Sequence, residues 1–352
     1  MANAPLASSA LEKFVDRHER LFVLTGAGCS TNSGIPDYRD GNGNWKRTQP
    51  VNFQSFMSDE QTRRRYWARS LIGWRRFGQA KPNDAHHALA RLEANGRCRM
   101  LLTQKTYITA LRSLMLYNAG ETDRSVHHPD PDVRARATEV VALLTPICKS
   151  MGTDLGNELT SLALQIHGGM GFIEETGAAQ HYRDVRITAI YEGTNGIQAA
   201  DLIGRKLGVR GGASVTEFLA SMRELDAELV AAGDAFVSIR SNFIAQLDKL
   251  VETTNWMLRT GAGDPAAALS GSSPYLRQFG LVVLAWLLAK GALAAAPLDS
   301  ELAETRLVMA RFFAEQLLPA ASGFGAAATA GSGDLFALDA GQFADVRGAA
   351  AR

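Results

Sequence analysis

The apolar positions change their period partway along the chain. A short β-type run, Phe22-Val23-Leu24, feeds into Thr25-Gly26-Ala27-Gly28, and the segment up to Gln104 supplies one strand and the start of a second. From Gln104 onward the period is helical. Tyr107, Ile108, Leu111, Leu114 and Met115 recur at i, i+1, i+4, i+7 and i+8, one apolar face of a helix. Val133 to Ser150 predicts a second helix with Val140, Val141, Leu144, Ile147 and Cys148 inward and a kink at Pro146. A third is expected from about Leu155 to Ile166, stopped by Gly168-Gly169, and another from Thr194 toward Leu207. Leu281 to Pro297 is apolar but short for a membrane span and interrupted by Lys290, which predicts a buried core helix. The Gly/Ala/Ser stretches Gly261 to Ser273 and Ala320 to Gly333 read as loops between helices.

Charge divides the chain at the same place. Residues 1–104 hold 16 Lys and Arg against 9 Asp and Glu, a net of +7, and the remainder of the totals of 37 and 36 leaves 21 against 27, a net of −6. The 352 residues leave room for two or three domains, and 46% hydrophobic with 21% charged residues is an ordinary globular composition. Arg63-Arg64-Arg65 and Arg75-Arg76 lie among Trp67, Trp74 and Phe77, a spacing that fits a helix with a wet basic face and not a nucleic-acid site. Cys29, Cys98 and Cys148 are widely separated, which gives neither a disulfide framework nor zinc spacing. His127-His128-Pro129-Asp130-Pro131-Asp132 reads as a solvated turn between helices. The first residues lack a basic stretch and carry Glu12, so no secretory signal is expected and the location implied is cytoplasmic, with no membrane partner.

A strand entering Gly26-Ala27-Gly28 offers bare backbone N–H groups to a phosphate. The string continues as Cys29-Ser30-Thr31-Asn32-Ser33-Gly34-Ile35-Pro36-Asp37-Tyr38-Arg39-Asp40. With Gly43-Asn44-Trp45, Pro82-Asn83-Asp84-Ala85-His86-His87-Ala88-Leu89 and Leu102-Thr103-Gln104, it resembles the cofactor region of the sirtuins, NAD-dependent protein deacylases. The resemblance implies that Gly26, Ala27, Gly28, Ser30, Ile35, Pro36, Asp37, Arg39 and Gln104 correspond to NAD-contacting positions. It stops at Gln104. Where sirtuins place an Asn and, two residues on, an Asp, this chain has Lys105-Thr106-Tyr107, and the family's general-base histidine and zinc cysteines find no counterpart. The resemblance therefore implies a truncated α/β NAD-binding fragment without deacylation.

Three motifs follow in order: Gln165-Ile166-His167-Gly168-Gly169-Met170-Gly171-Phe172, Tyr182-Arg183-Asp184-Val185-Arg186, and Ile190-Tyr191-Glu192-Gly193-Thr194-Asn195-Gly196-Ile197-Gln198. Together they resemble the carboxyl-terminal flavin and substrate segment of the acyl-CoA dehydrogenases. Residues beyond about 215 resemble the extra helical domain of long members of that family, through Tyr275 to Leu281, Ala310 to Pro319 and Leu335 to Leu338. The resemblance implies a mostly α architecture: a sirtuin-like fragment (1–104), a dehydrogenase helical bundle (105–210) and an extra helical domain (215–345). It makes Glu192 the base that removes the α-proton of an acyl-CoA thioester, and Gln165, Gly168, Gly169, Gly171, Thr194 and Gln198 the FAD contacts. It further implies a homo-oligomer, or a mixed oligomer with an intact dehydrogenase. The family's amino-terminal and middle domains are replaced here by the sirtuin-like segment, which implies impaired or absent turnover, or a non-catalytic oligomerisation module. Leu102-Thr103-Gln104 is a string that both families use at this point, and a crossover within it is one way to join them.

Overall fold

A computed structural model describes residues 13, 17, 27–35, 40, 42, 44–46, 51, 53–77, 79–94, 99–298, 300–338 and 340–343. The chain divides into two compact units: residues 1–102 with 163–178, and residues 103–162 with 179–352. Among the described residues there is no β-strand, only a single bridge position at Trp45. Phe22-Val23-Leu24 lies outside the described residues.

In the first unit a tight 3-10 turn, Ala27–Ser33, precedes helices α1 (Phe53–Ser58), α2 (Glu60–Phe77) and α3 (Asp84–Ala94). Asp59 starts α2, its carboxylate accepting from the Gln61 N–H at 3.1 Å and the Thr62 N–H at 3.0 Å, donors that a helix start otherwise leaves unpaired. Arg63 donates to the carbonyls of Phe56 and Met57 at 3.0 and 2.7 Å, closing the end of α1. Arg64 and Arg65 stay exposed, with Arg64 paired to Glu60 at 2.8 Å, so the expected basic face is solvated.

The second unit is built around one helix. Helix α4 (Arg99–His127) leads to α5 (Pro131–His167) through the expected turn at His128–Asp130. Past the short α6 (Gly169–Phe172) come α7 (Ala178–Arg186), α8 (Asn195–Asp201), α9 (Ala213–Arg223), α10 (Leu225–Ala231) and α11 (Val237–Gly263). Then follow α12 (Pro265–Ser270), α13 (Ser272–Ala295), α14 (Glu301–Phe312) and α15 (Ala320–Ala328). Helix α13 is apolar on every side, and α8, α11, α14 and α15 pack against it. Its window is apolar enough to cross a membrane, but 72% of it is buried inside the protein. Lys290 stands where the helix reaches the surface, its ammonium 4.8 Å over the Trp286 ring. Edge-to-face aromatic pairs knit the core: Tyr117 with Trp286 at 5.1 Å, Tyr107 with Phe313 at 5.6 Å, and Phe218 with Trp286 at 5.9 Å. The fully buried Tyr275 hydroxyl shares a 2.7 Å hydrogen bond with Thr254, and burial raises its pKa above the ordinary phenol value.

Three expectations are corrected. Leu102-Thr103-Gln104, which in a sirtuin belongs to a strand, lies inside α4. No Gly or Pro interrupts the run from Arg99 to Asn118, and the face carrying Thr106, Ala110 and Leu114 is buried, so the helical period extends backward over it. The two helices expected across 133–166 are one, α5. Gly152 and Gly156 cost helix stability, about 1 kcal/mol each, but a Cβ there would stand 3.2 Å from Met115 Cε and 3.0 Å from Val185 Cγ2. They are close-packing positions, not stops. Pro146 is buried within the same helix. The stretches 261–273 and 320–333 are largely helical, in α11, α12, α13 and α15, because Ala carries the highest helix propensity. Asp264 caps α12, its carboxylate accepting from the Ala267 N–H at 3.0 Å, with Pro265 at the first helical position.

Gly271 joins α12 to α13 where a Cβ would lie 1.9 Å from the Ala328 carbonyl oxygen, a backbone atom that cannot swing aside. Gly271→Ala is therefore expected to destabilise the protein by about 1–3 kcal/mol in denaturant unfolding. Gly263→Ala, with nothing within 4 Å of its Cβ position, is the matched control and should leave the midpoint nearly unchanged.

Candidate functional site

The candidate base sits on a turn, not on a helix. Thr194 is the N-cap of α8, its hydroxyl accepting from the Ile197 N–H at 3.3 Å, which fixes where the helix begins and leaves Glu192 and Gly193 outside it. Both have positive φ, 55° at Glu192 and 80° at Gly193. A glutamate in this region costs on the order of 1–3 kcal/mol and persists only where surrounding contacts hold it.

Those contacts come from the turn's own helix and from α5. Gln198 Nε2 donates to the Glu192 carbonyl at 3.2 Å. Lys149 Nζ donates to the Gly193 carbonyl at 2.8 Å and to Asn195 Oδ1 at 2.7 Å. Asn195 Nδ2 in turn donates to Thr153 Oγ1 at 2.9 Å and Asp154 Oδ1 at 2.5 Å. A cation faces the oxygen of the Asn195 amide and an anion faces its nitrogen, which fixes the amide's orientation. The Glu192 carboxylate itself is exposed, between exposed Tyr191 and Gly193. Beside Lys149 on α5, burial pushes the Cys148 thiol up to about 12 and removes it from chemistry.

Glu192 and the cap Thr194 thus stand on one turn in the second unit, with Gln198 of α8 bonded back to it. Thr194 holds the turn as the cap of α8, and Gln198 holds it through its amide nitrogen. The other FAD candidates belong to the first unit. Gln165 is exposed near the end of α5, and Gly168 (φ 60°) opens the turn into α6. No atom lies within 4 Å of a Cβ position at Gly168 or Gly169, so open backbone is presented there, as the approach of a flavin requires. Gly171 has a different reason: a Cβ would stand 2.3 Å from the Leu164 carbonyl, so the glycine serves the fold of the turn.

Among the NAD candidates, Ala27, Gly28, Ser30 and Ile35 lie in or beside the 3-10 turn, while Gly26, Pro36, Asp37 and Arg39 lie outside the described residues. Asn83 braces this loop, its amide nitrogen donating to the Cys29 carbonyl at 2.8 Å. The same side chain caps α3, accepting from the Ala85 N–H at 2.9 Å and the His86 N–H at 3.3 Å. The Pro-Asn-Asp string therefore has a structural task of its own. Gln104 belongs to the second unit, where its amide donates to the Leu159 carbonyl at 3.0 Å and ties α4 to α5. Among the described residues no cluster of His, Cys, Asp and Glu could hold a metal.

Sequence reasoning missed the Lys149–Asn195–Asp154 brace. Lys149, Thr153 and Asp154 stand at i, i+4 and i+5 on α5, half-buried polar positions between the buried Cys148, Ser150, Met151 and Leu155. That polar strip was the available signal.

Comparison with known proteins gives three matched regions. Residues 26–112 match the Sir2 family, residues 87–207 the acyl-CoA dehydrogenase C-terminal domain, and residues 213–339 an acetyl-CoA dehydrogenase C-terminal-like domain. The first two overlap across 87–112, which includes the shared Leu-Thr-Gln string. NAD-dependent protein deacetylase 2 of Bradyrhizobium diazoefficiens is 86% identical over 104 residues, covering 30% of this chain and 38% of that protein. The NAD-dependent protein deacetylase of Xanthomonas campestris pv. campestris strain 8004 is 70% identical over 95 residues, 27% of this chain and 32% of that one. The 3-methylmercaptopropionyl-CoA dehydrogenase of Ruegeria pomeroyi is 38% identical over 254 residues, 68% of this chain and 42% of that protein. The chain thus spans between 32% and 42% of the length of these curated relatives. Its amino-terminal region is similar to sirtuins and its carboxyl-terminal region to acyl-CoA dehydrogenases, as in a fusion of the two.

Proposed function

We propose that the region after Gln104 is the carboxyl-terminal part of an FAD-dependent acyl-CoA dehydrogenase with Glu192 as its general base, and that turnover in this chain is impaired or absent. The observation that carries this reading is the Glu192–Gly193 turn, held at positive φ from two sides with the carboxylate facing outward. The α-proton of an acyl thioester becomes removable when its carbonyl oxygen is polarised, and a fixed backbone N–H beside the base supplies that polarisation. Glu192 then takes the α-proton onto a carboxylate oxygen. FAD, when bound, accepts the hydride that leaves the β-carbon. By the resemblance, Gln165, Gly168 and Gly169 would contact flavin, in this family often that of a neighbouring subunit. The sirtuin-like segment occupies the place in the chain where this family carries the domains that enclose flavin and acyl group, hence the expected loss of turnover.

Helix α4 and Gly152 line an apolar groove of about 570 Å³ with Ile108, Leu111, Met115 and Leu116, which favours a homo-oligomer or a mixed oligomer with an intact dehydrogenase as the assembled form. The test of the main reading is solvent exchange. In D2O, purified protein given an acyl-CoA should incorporate deuterium at the α-carbon, and Glu192→Gln should slow this about 10²- to 10⁴-fold. Visible flavin absorbance and dye reduction are expected to be weak or missing in both. Exchange that persists in Glu192→Gln would remove Glu192 as the base.

A second reading, NAD binding by the sirtuin-like loop, is favoured by Ser33, whose hydroxyl is shielded from solvent without a hydrogen-bond partner. Calorimetric titration with NAD decides it: a measurable binding heat that disappears in Ser30→Ala supports the reading, and a flat titration sinks it.

A further inference from the structure

We propose that Lys149 is a positioning residue for Glu192, the group that sets the direction of the base by holding the carbonyl of the residue after it. The inference rests on the reading of Glu192 as base. Gly193 at φ 80° follows Glu192 at φ 55°, so the direction of the carboxylate depends on two peptide planes with no helix to define them. Each plane has one external tie. The Glu192 carbonyl is tied by Gln198, a residue of α8 that moves with the turn. The Gly193 carbonyl is tied by Lys149, which is rooted in α5, forty-four residues away. Lys149 therefore provides the one direct link among these bonds between the turn's backbone and a separate rigid element.

The link is built to hold one geometry. Lys149 is half-buried on a helix whose next residues inward, Ile147, Cys148 and Met151, lie in the core, so its stem has little freedom. Its ammonium divides its donors between the Gly193 carbonyl and Asn195 Oδ1. Asn195 is held in turn by Thr153 and Asp154, and the Thr153 hydroxyl donates back to the Lys149 carbonyl at 2.8 Å. The network closes on α5, and charge-assisted bonds stand at both of its ends. Without the ammonium, Asn195 still docks on Thr153 and Asp154, so α8 remains placed. What is released is the turn alone, and with it the base. A base displaced by about 1 Å loses on the order of 10²-fold in rate while leaving substrate affinity nearly untouched.

The experiment compares the full chain with Lys149→Met, which keeps the stem and removes the donors, and Lys149→Arg, which keeps a cation. Two readouts are taken: deuterium uptake from D2O at the α-carbon of an acyl-CoA over a range of thioester concentrations, and backbone amide exchange across 191–197. We expect Lys149→Met to lower the saturating uptake about 10- to 100-fold with an unchanged half-saturation concentration, and Lys149→Arg to restore a substantial part. Amide exchange should rise in 191–197 of Lys149→Met and nowhere else in α5 or α8. Uptake unchanged in Lys149→Met overturns the proposal, as does a loss carried entirely by the half-saturation concentration. If the unaltered chain takes up no deuterium, the reading of Glu192 as base has failed. The amide exchange then decides the role of Lys149 separately, and a turn equally protected with and without the ammonium overturns it.

Discussion

Helix α13 has no polar face, and that constraint organises the second unit. A stretch with Tyr275, Phe279, Val282, Val283, Leu284 and Leu288 all buried must be enclosed from every side. Helices α8, α11, α14 and α15 do the enclosing, and Gly280 admits Met151 of α5, whose side chain lies 2.4 Å from where a Cβ would be. Arg277 of α13 reaches Glu158 of α5 with one nitrogen bonded to both carboxylate oxygens, at 2.7 and 2.9 Å. The parts similar to the two dehydrogenase domains thus share one core, and the segment between them is fastened as well. Arg210, at φ 51°, donates to the carboxylates of Glu217 of α9 and Glu139 of α5, and these hydrogen bonds raise its pKa.

This enclosure explains what was legible in the sequence and what was not. Of the expected stripe Tyr107, Ile108, Leu111, Leu114 and Met115, Tyr107 and Leu114 are buried and Leu111 is half-buried, while Ile108 and Met115 are exposed, so the helical period was readable but the buried face is narrower than the stripe. The buried helix at 281–297 was readable because it lacks any polar face. The breaks were misread where tertiary packing outweighs local propensity. The gap expected between Ser150 and Leu155 is continuous helix, with Gly152 and Gly156 at places where Met115 and Val185 come close, and the Ala-rich stretches near 265 and 320 look like linkers but are helices against α13. Leu102-Thr103-Gln104, a string the two resemblances leave open between sirtuin strand and dehydrogenase helix, is helical because the helix it joins supplies the buried partners.

The site follows a similar rule. Glu192 and Thr194, the cap of α8, belong to one contiguous motif, and the start of the helix near Thr194 was readable from it. The brace from Lys149 and Asp154 was not, because it forms only when α5 and the turn meet. A strained turn needs support from outside itself, and the sequence records the strain and its support in places 44 residues apart. The first unit is legible in the opposite sense. Its loop motif is clear in the residues, and Asn83 shows how part of that motif holds the loop to α3.

One continuous helix, Arg99–His127, crosses the join, and in it residues similar to a sirtuin strand take the helical conformation of the dehydrogenase-like region. Backbone carbon chemical shifts of the full chain test this directly at Leu101, Leu102, Thr103 and Gln104. Helical shifts running without interruption from these residues into Tyr107 are the predicted result. Extended shifts at Leu102 and Thr103, with helix beginning only after Lys105, would contradict it.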